Sequence, residues 1–349
     1  MRDAFHFRAM GWKNFQLSTS KDLASRRTAL GLFLREKLQD LEVVFVHNVL
    51  TMPFDIALTA ALWDAADALP QTRFVSWTHD VVAANPDYAI TAEAPWDLLR
   101  KAHPRIEYIA VSDLRKRQLA EVCGVLEGKC GVIPNGIDPL RHLQLTPAVE
   151  KLVTAFRLLD RDLVLLHPTR LLRRKNIELS LQVTASLREQ GVNAALLITA
   201  AHDPHTAEAS SYAASLHALR DDLKLAGDAI FVNDHFAVTD ADLASLYRLA
   251  DLLFFPSKQE GFGLPILEAA LHCLPVFCTD IEPLSSLPGA IPFPLGTAPE
   301  KLAALLMRHV EASATIYAKK KVLREFAWSA IWRNFLAPLL ARHDTSCPT

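Results

Sequence analysis

Two glutamates eight positions apart, Glu260 and Glu268, bracket a short loop of Gly261, Phe262, Gly263 and Leu264. The loop follows an apolar run at 252–255 and leads into a helical pattern with Pro265 in the favoured first turn. Glycines at 261 and 263 let bare backbone N–H groups approach an anion, and a helix N-terminus behind them favours negative charge. A carboxylate can accept two hydrogen bonds from a vicinal diol. Two carboxylates around a phosphate-binding turn therefore suit a nucleotide sugar, one for the ribose and one for the hexose. The plainer alternative makes Glu268 a first-turn acid on the helix dipole and Glu260 a loop charge.

A second group lies at 169–176, directly after the apolar run 162–167. Arg170 and Lys175 put two cations at a strand-to-helix loop. There the carboxyl ends of parallel strands collect ligands, and a diphosphate would need neutralising. Arg173 and Arg174 read as the solvated start of a helix, and Asn176 as its cap. His79 ends the run 73–79. Its imidazole suits a hydrogen bond to a ligand hydroxyl or to main-chain groups, and equally a local pair with Asp80. His47 and His167, at matching strand ends, read as structural, and Cys273 and Cys278 as packing around a buried turn.

These residues need a scaffold to hold them. Mainly apolar runs recur at 42–48, 73–79, 108–112 and 131–135, then at 162–167, 194–200, 229–233, 251–256 and 275–279. Runs that are apolar throughout, rather than alternating, indicate strands buried on both faces, as in parallel sheets. Helical spacing fills the intervals; at 242–251, Leu243, Leu246, Tyr247 and Ala250 share one stripe. Alternating strand and helix means right-handed βαβ units and an α/β fold. Pro139 and Pro147 interrupt the alternation, so the expected division is 1–147 and 148–321. The aromatic-rich stretch 322–342 has no strand after it and is expected to be a helix docking on a domain already built.

Composition narrows the function classes. A chain of 349 residues, half of them apolar, is long enough for two domains with sizeable cores. The balance of 37 Lys and Arg against 39 Asp and Glu leaves no basic footprint for nucleic acid. No apolar run approaches the ~20 residues of a membrane helix, and the first residues lack the apolar core of a signal peptide. The cysteines form no C-x-x-C pair and no asparagine sits in an N-x-S/T sequon, so a cytoplasmic protein with reduced thiols is expected. The segment 21–38 mixes Arg26, Arg27, Arg35 and Lys37 with Leu30, Leu32, Phe33 and Leu34. It reads first as a domain helix with one buried and one basic solvated face, and second as a peripheral contact with an anionic membrane.

In order and spacing, these elements together resemble the family-4 retaining glycosyltransferases of the GT-B fold, with two Rossmann-like domains whose parallel sheets face each other across a cleft. The resemblance spans roughly residues 42–335. It rests on Glu260 and Glu268 as the family's E-x7-E element, on Arg170 and Lys175 as its phosphate-binding pair, and on 132–138 as the interdomain segment. Residues 111–116 resemble the last strand-to-helix turn of the N-domain. The resemblance implies that Glu268 holds the ribose hydroxyls and Glu260 a donor-sugar hydroxyl. It implies that the glycine loop, Gly261 with the amides of Phe262, Gly263 and Leu264, meets the sugar and the β-phosphate. Arg170 and Lys175 would stabilise the departing diphosphate. His79 resembles an N-domain histidine found near the donor sugar. The implied donor is a UDP- or GDP-linked hexose, the acceptor a glycan, a lipid-linked molecule or a small molecule. Nothing in the sequence reads as the D-x-D metal site of other glycosyltransferases, so neither an obligatory metal nor a cofactor is expected. The aromatic C-terminal stretch would cross back to brace the N-domain.

The sequence also departs from that pattern. Nothing before residue 42 reads as strand, glycine loop and helix; Gly11 and Gly31 stand alone. The 12 glycines are about half of what an average usage near 7% would supply. The expectation is an N-domain short of its first strand and glycine-rich loop, with an open sheet edge that a partner chain could complete. Thr169, Ala200 and Ala201 stand where relatives commonly have glycine, and a Cβ there would crowd a nucleotide. Two other readings share the same residues: a non-catalytic nucleotide-binding or scaffold module, and a GT-B sugar phosphorylase.

Overall fold

Each of the nine expected runs carries a parallel strand in the computed structural model, which describes residues 20–88, 90–199 and 207–341. Gly11, Ala200 and Ala201 lie outside the described residues. The chain forms two α/β units: one runs to Gly136 and takes in the segment from Ile331, the other is Ile137–Ala330.

The first unit contains α1 (Ser20–Leu38), β1 (Val43–His47), α2 (Ile56–Ala68), β2 (Arg73–Thr78), β3 (Ile106–Ala110), α3 (Asp113–Cys123) and β4 (Gly131–Val132). Its sheet is parallel, with the strands side by side in chain order, β1-β2-β3-β4. Successive side chains of β2 serve opposite faces. Phe74 joins Leu34, Leu58, Leu62 and Leu119 beneath the helices, while Val75 and Trp77 join Ile109, Ile133, Ile331 and Leu339. Helix α1 is a domain helix: Leu34 and Leu38 are buried, and Arg26 and Arg27 pair with Asp55 and Asp64 beside and on α2. No helix among the described residues is long and apolar enough to cross a membrane.

The second unit contains α4 (Pro139–Leu143), α5 (Pro147–Phe156), β5 (Leu163–His167), α6 (Ile177–Glu189), β6 (Ala194–Ile198), α7 (Ala207–Asp222) and β7 (Ala229–Phe231). It continues with α8 (Asp240–Leu249), β8 (Leu252–Phe255), α9 (Leu264–Leu271), β9 (Val276–Thr279), β10 (Ala290–Phe293), α10 (Pro299–Ala312) and α11 (Ala314–Lys321). The parallel sheet has the order β10-β9-β8-β5-β6-β7. Leu163, Leu165, Leu252 and Phe254 meet Leu181, Leu216 and Leu302 on one face, and Val164, Leu166, Leu253 and Phe255 meet Val149, Leu246 and Ile266 on the other. Each such side chain contributes about 1.5–3 kcal/mol on burial, and having helices on both faces explains why the runs are apolar throughout.

Two expectations are corrected, and one strand joins the nine runs. The units divide at Gly136 rather than at 147, because the stretch that follows is held by α8: Arg248 donates to the carbonyls of Leu143 and Gln144, and Thr146 Oγ1 to Asp242 Oδ1 at 2.5 Å. Strand β10 is that tenth strand, the sixth of the second sheet, within the five or six expected there; its Pro292 argues locally against a strand and is accommodated because β10 lies at the sheet edge. The stretch 322–342 is not one helix. Ala327 is extended and pairs with Ile137, so π-helical turns (Val322–Phe326 and Trp332–Leu336) and two short helices, α12 (Trp328–Ile331) and α13 (Ala337–Ala341), replace it. From Ile331 onward this stretch packs on the first unit's sheet through Ile331 and Leu339, with Arg73 donating to the Leu339 carbonyl.

Candidate functional site

The order of the second sheet reverses between β5 and β8: chain order runs outward from β5 through β6 to β7 on one side, and from β8 through β9 to β10 on the other. Loops leaving two such strands part in opposite directions and open a crevice at the carboxyl ends, the usual ligand position in parallel α/β sheets. The loop after β5 carries Thr169, Arg170, Arg174 and Lys175; the loop after β8 carries Glu260 and the glycines. A cavity of about 990 Å³ lies here, and Arg170, Lys175, Glu260, Phe262, Gly263, Leu264 and Glu268 all line it. Every residue of its wall belongs to the second unit.

The two loops are tied together. Asn176 does not cap α6 with its side chain; it adopts φ 54°, and its Nδ2 reaches across to the Pro256 carbonyl at 3.2 Å. The Lys258 N–H donates to the Arg174 carbonyl at 2.7 Å. Arg174 Nη1 donates to the Gln259 carbonyl at 2.9 Å and to Glu260 Oε2 at 3.3 Å. Arg174 is therefore part of the cavity wall and not merely a solvated charge, whereas Arg173 is exposed and lies over the Tyr212 ring.

The two glutamates differ in their surroundings. Glu260 Oε1 accepts from Lys175 Nζ and from Ser257 Oγ at 2.8 Å, and with Arg174 on Oε2 its side chain is only 8% exposed. A carboxylate offers about four acceptor positions, so roughly one remains. Glu268, half-buried in the second turn of α9, accepts a single hydrogen bond among the described residues, from the Tyr247 hydroxyl to Oε2 at 2.7 Å. About three of its positions stay open, enough for a vicinal diol. Among the described residues the exposed Arg170 side chain has no hydrogen bond or ion pair, so its charge is unspent.

Gly263 sits immediately before α9 at φ 107°, and no side chain caps the helix. A Cβ on Gly263 would stand 2.6 Å from Leu284 Cδ2, so conformation and space both require glycine. Gly261, by contrast, has nothing within reach of an added Cβ and does not line the cavity. Phe262 is 52% exposed and Leu264 is likewise exposed at the rim. Thr169 is turned inward: its N–H donates to Thr199 Oγ1 at 2.8 Å, and its own hydroxyl to the Arg170 carbonyl. Beneath this loop, buried His167 receives a hydrogen bond from, or donates one to, Ser180 Oγ at 2.9 Å; desolvation and the nearby Lys175 charge lower its pKa to about 3. Cys278 is buried as expected, but Cys273 is exposed at φ 54°, a left-handed position that ends α9.

His79 lies in the first unit, at the carboxyl end of β2. It forms no pair with Asp80, which binds Arg115 at 2.8 Å. Its Nδ1 is 3.5 Å from Asn135 Nδ2, its ring meets His47 edge-on, and its buried Nε2 has no partner among the described residues. Burial pulls its pKa below the ordinary value, opposed by the Asp80 charge, so the ring is neutral at pH 7.

Comparison with known proteins adds the following. Residues 15–141 match the model for Glycosyltransferase Family 4, and residues 150–287 that for Glycosyl transferases group 1. A mannosylglucosylglycerate synthase of Petrotoga mobilis is 24% identical over 285 residues, covering 71% of this chain; the chain spans 63% of that relative's length. O-antigen chain mannosyltransferase B of Escherichia coli is 46% identical over 52 residues, 15% of this chain and 14% of its own. Among solved structures, a glycosyltransferase from Rickettsia africae is 17% identical, with 96% of this chain and 85% of that one covered and a TM-score of 0.40. Anabaena HepE in complex with UDP and glucose is 18% identical, with 90% and 81% covered and a TM-score of 0.41. The two family models succeed one another along the chain as the two sheets do, and the chain belongs to the group 1, family 4 glycosyltransferases.

Proposed function

We propose that the chain transfers a hexosyl group from a UDP- or GDP-linked sugar to a hydroxyl acceptor with retention of anomeric configuration. The observation that carries this reading is the single cavity at the β5–β8 reversal, lined by two glutamates, two arginines, a lysine and an uncapped helix N-terminus. In it Glu268 takes the ribose diol and Glu260, with about one acceptor position free, a single sugar hydroxyl. Ala237, Val238 and Leu243 supply an apolar stretch of wall for the base.

As the bond from the anomeric carbon to the diphosphate breaks, its electron pair passes to the phosphate oxygen. Arg170, Lys175 and the N-terminus of α9 stabilise that charge. The acceptor oxygen bonds to the same face of the anomeric carbon and surrenders its proton to the departing phosphate. Within the first unit, the neutral His79 ring, whose Nε2 has no partner among the described residues, is suited to a hydrogen bond with a hydroxyl. Mannosyl is the first hexose to test, since the relatives from Petrotoga mobilis and Escherichia coli carry it in their names.

The test is a thermal-shift titration with UDP, GDP, ADP and their sugars, with Glu268→Ala alongside. A ligand binding only the folded state raises the midpoint once its concentration passes Kd. The expected outcome is a selective shift that weakens about 100-fold in Glu268→Ala, as two hydrogen bonds to a charged acceptor are lost. Wild-type affinity in that variant would remove the assignment.

A further inference from the structure

Tyr247 is the only described group that hydrogen-bonds the Glu268 side chain. It comes from α8, is 2% exposed, and does not line the cavity. Its ring stacks on His272, centroids 5.4 Å apart and planes within 5° of parallel, so the side chain is clamped on its face as well as at its tip. The hydroxyl stands 2.7 Å from Glu268 Oε2 and 3.4 Å from the Pro265 carbonyl, and the shorter contact takes its one proton. Burial and the adjacent carboxylate push this phenol above its ordinary pKa, so it remains a donor throughout the working pH range.

We propose that Tyr247 is a positioning residue for ribose, fixing the plane of the Glu268 carboxylate so that it meets the 2′- and 3′-hydroxyls of a nucleoside diphosphate together. The proposal rests on the reading of Glu268 as the diol acceptor and extends it to a residue that never touches the ligand. A carboxylate at a cavity wall turns freely about its last bond, and bidentate recognition of a diol requires that rotation to be settled beforehand. A neutral buried phenol settles it while consuming one acceptor position and none of the charge. Glu260, held by Lys175 and Arg174, is constrained in the opposite manner, with most of its acceptor capacity used.

The test measures binding of UDP and GDP and of their 2′,3′-dideoxy forms by calorimetry, in wild type, Tyr247→Phe, Glu268→Ala and the double variant. Tyr247→Phe keeps the stacked ring and removes only the hydroxyl. It is expected to weaken the ribonucleotide about tenfold and leave the dideoxy form unchanged, so the dideoxy ligand reports whether the site is still folded. In the Glu268→Ala background the same change should cost nothing further, and donor KM should rise in Tyr247→Phe while kcat holds. A wild-type ratio of ribo to dideoxy affinity in Tyr247→Phe would overturn the proposal, as would equal weakening of both ligands, which marks a merely structural bond. If wild type itself fails to distinguish the two ligands and Glu268→Ala binds like wild type, the diol reading of Glu268 falls first and takes this proposal with it.

Discussion

The two sheets are built from the same kind of strand but differ in order, and the difference sets how the loops at their carboxyl edges run. In the first unit the four described strands lie side by side in chain order, so each loop at the carboxyl edge continues in the direction of the one before. In the second unit the order reverses between β5 and β8, and the loops on either side diverge. Arginine stands near a carboxyl edge in both, Arg115 in the first turn of α3 and Arg170 in the loop after β5. Each lines a cavity, of about 470 Å³ and about 990 Å³, but Arg115 is spent on Asp80, Gln118 and the His79 carbonyl, whereas Arg170 has no side-chain partner among the described residues. A charged side chain at a cavity wall is thus not yet a ligand group; its charge must also be left unspent.

The largest effect that tests this contrast comes from glycine. Gly263→Ala should cost about 3 kcal/mol, combining a left-handed backbone with a Cβ driven against Leu284. Gly131→Ala in β4 of the first unit meets only ordinary contact with Ile109 and should stay within about 0.5 kcal/mol of wild type. Urea midpoints measure both, and equal losses would break the comparison.

Protonation gives the next effect. The folded pKa of His167 is depressed to about 3, so its contribution to stability is complete above the unfolded value and is lost as pH falls from there toward 3. The slope from this one group is at most about 1.4 kcal/mol per pH unit, starting near pH 6.5. His79 is also lowered, by burial with Asp80 opposing, so it acts in the same direction. Acid titration of thermal midpoints should show a shallower slope below pH 6 in His167→Asn than in wild type. An unchanged slope in that variant would mean that the strand end of the second unit does not hold a desolvated imidazole.

The smallest effect concerns the two arginine settings. Arg174→Ala frees one oxygen of Glu260 and one tie between the crevice loops, and should weaken nucleoside diphosphate binding about fivefold, the scale of a partly exposed ion pair. Arg115→Ala should leave that affinity unchanged. Calorimetry on the pair decides whether cations of the reversal point alone serve the nucleotide.

Much of this was legible along the chain, and the failures have a pattern. The nine runs foresaw nine strands because burial on both faces leaves an uninterrupted apolar signature. Pro292 concealed β10, since the edge position that tolerates proline is a property of the sheet and not of its own residues. Ala327 carries no sign that it will leave the helical conformation; its pairing with Ile137, distant in sequence, decides that. Asn176 has the local look of a cap and Arg174 of a solvated charge, yet each is directed by the loop of β8, about eighty positions away.

What the sequence determined by itself is the local part: an α/β alternation set by apolar periodicity, and a glycine turn leading into a helix with glutamates at either side. Those follow from neighbours within a few residues, whose backbone preferences and spacing act without the rest of the chain. Tertiary structure decided which strands lie adjacent. Setting β8 beside β5 brings Glu260 to Lys175 and Arg174, leaves Glu268 to a buried tyrosine, and opens the cavity between the loops. The physical reason is that strand order is chosen by burying both faces of a whole sheet under its helices at once, a condition that no short stretch of sequence contains.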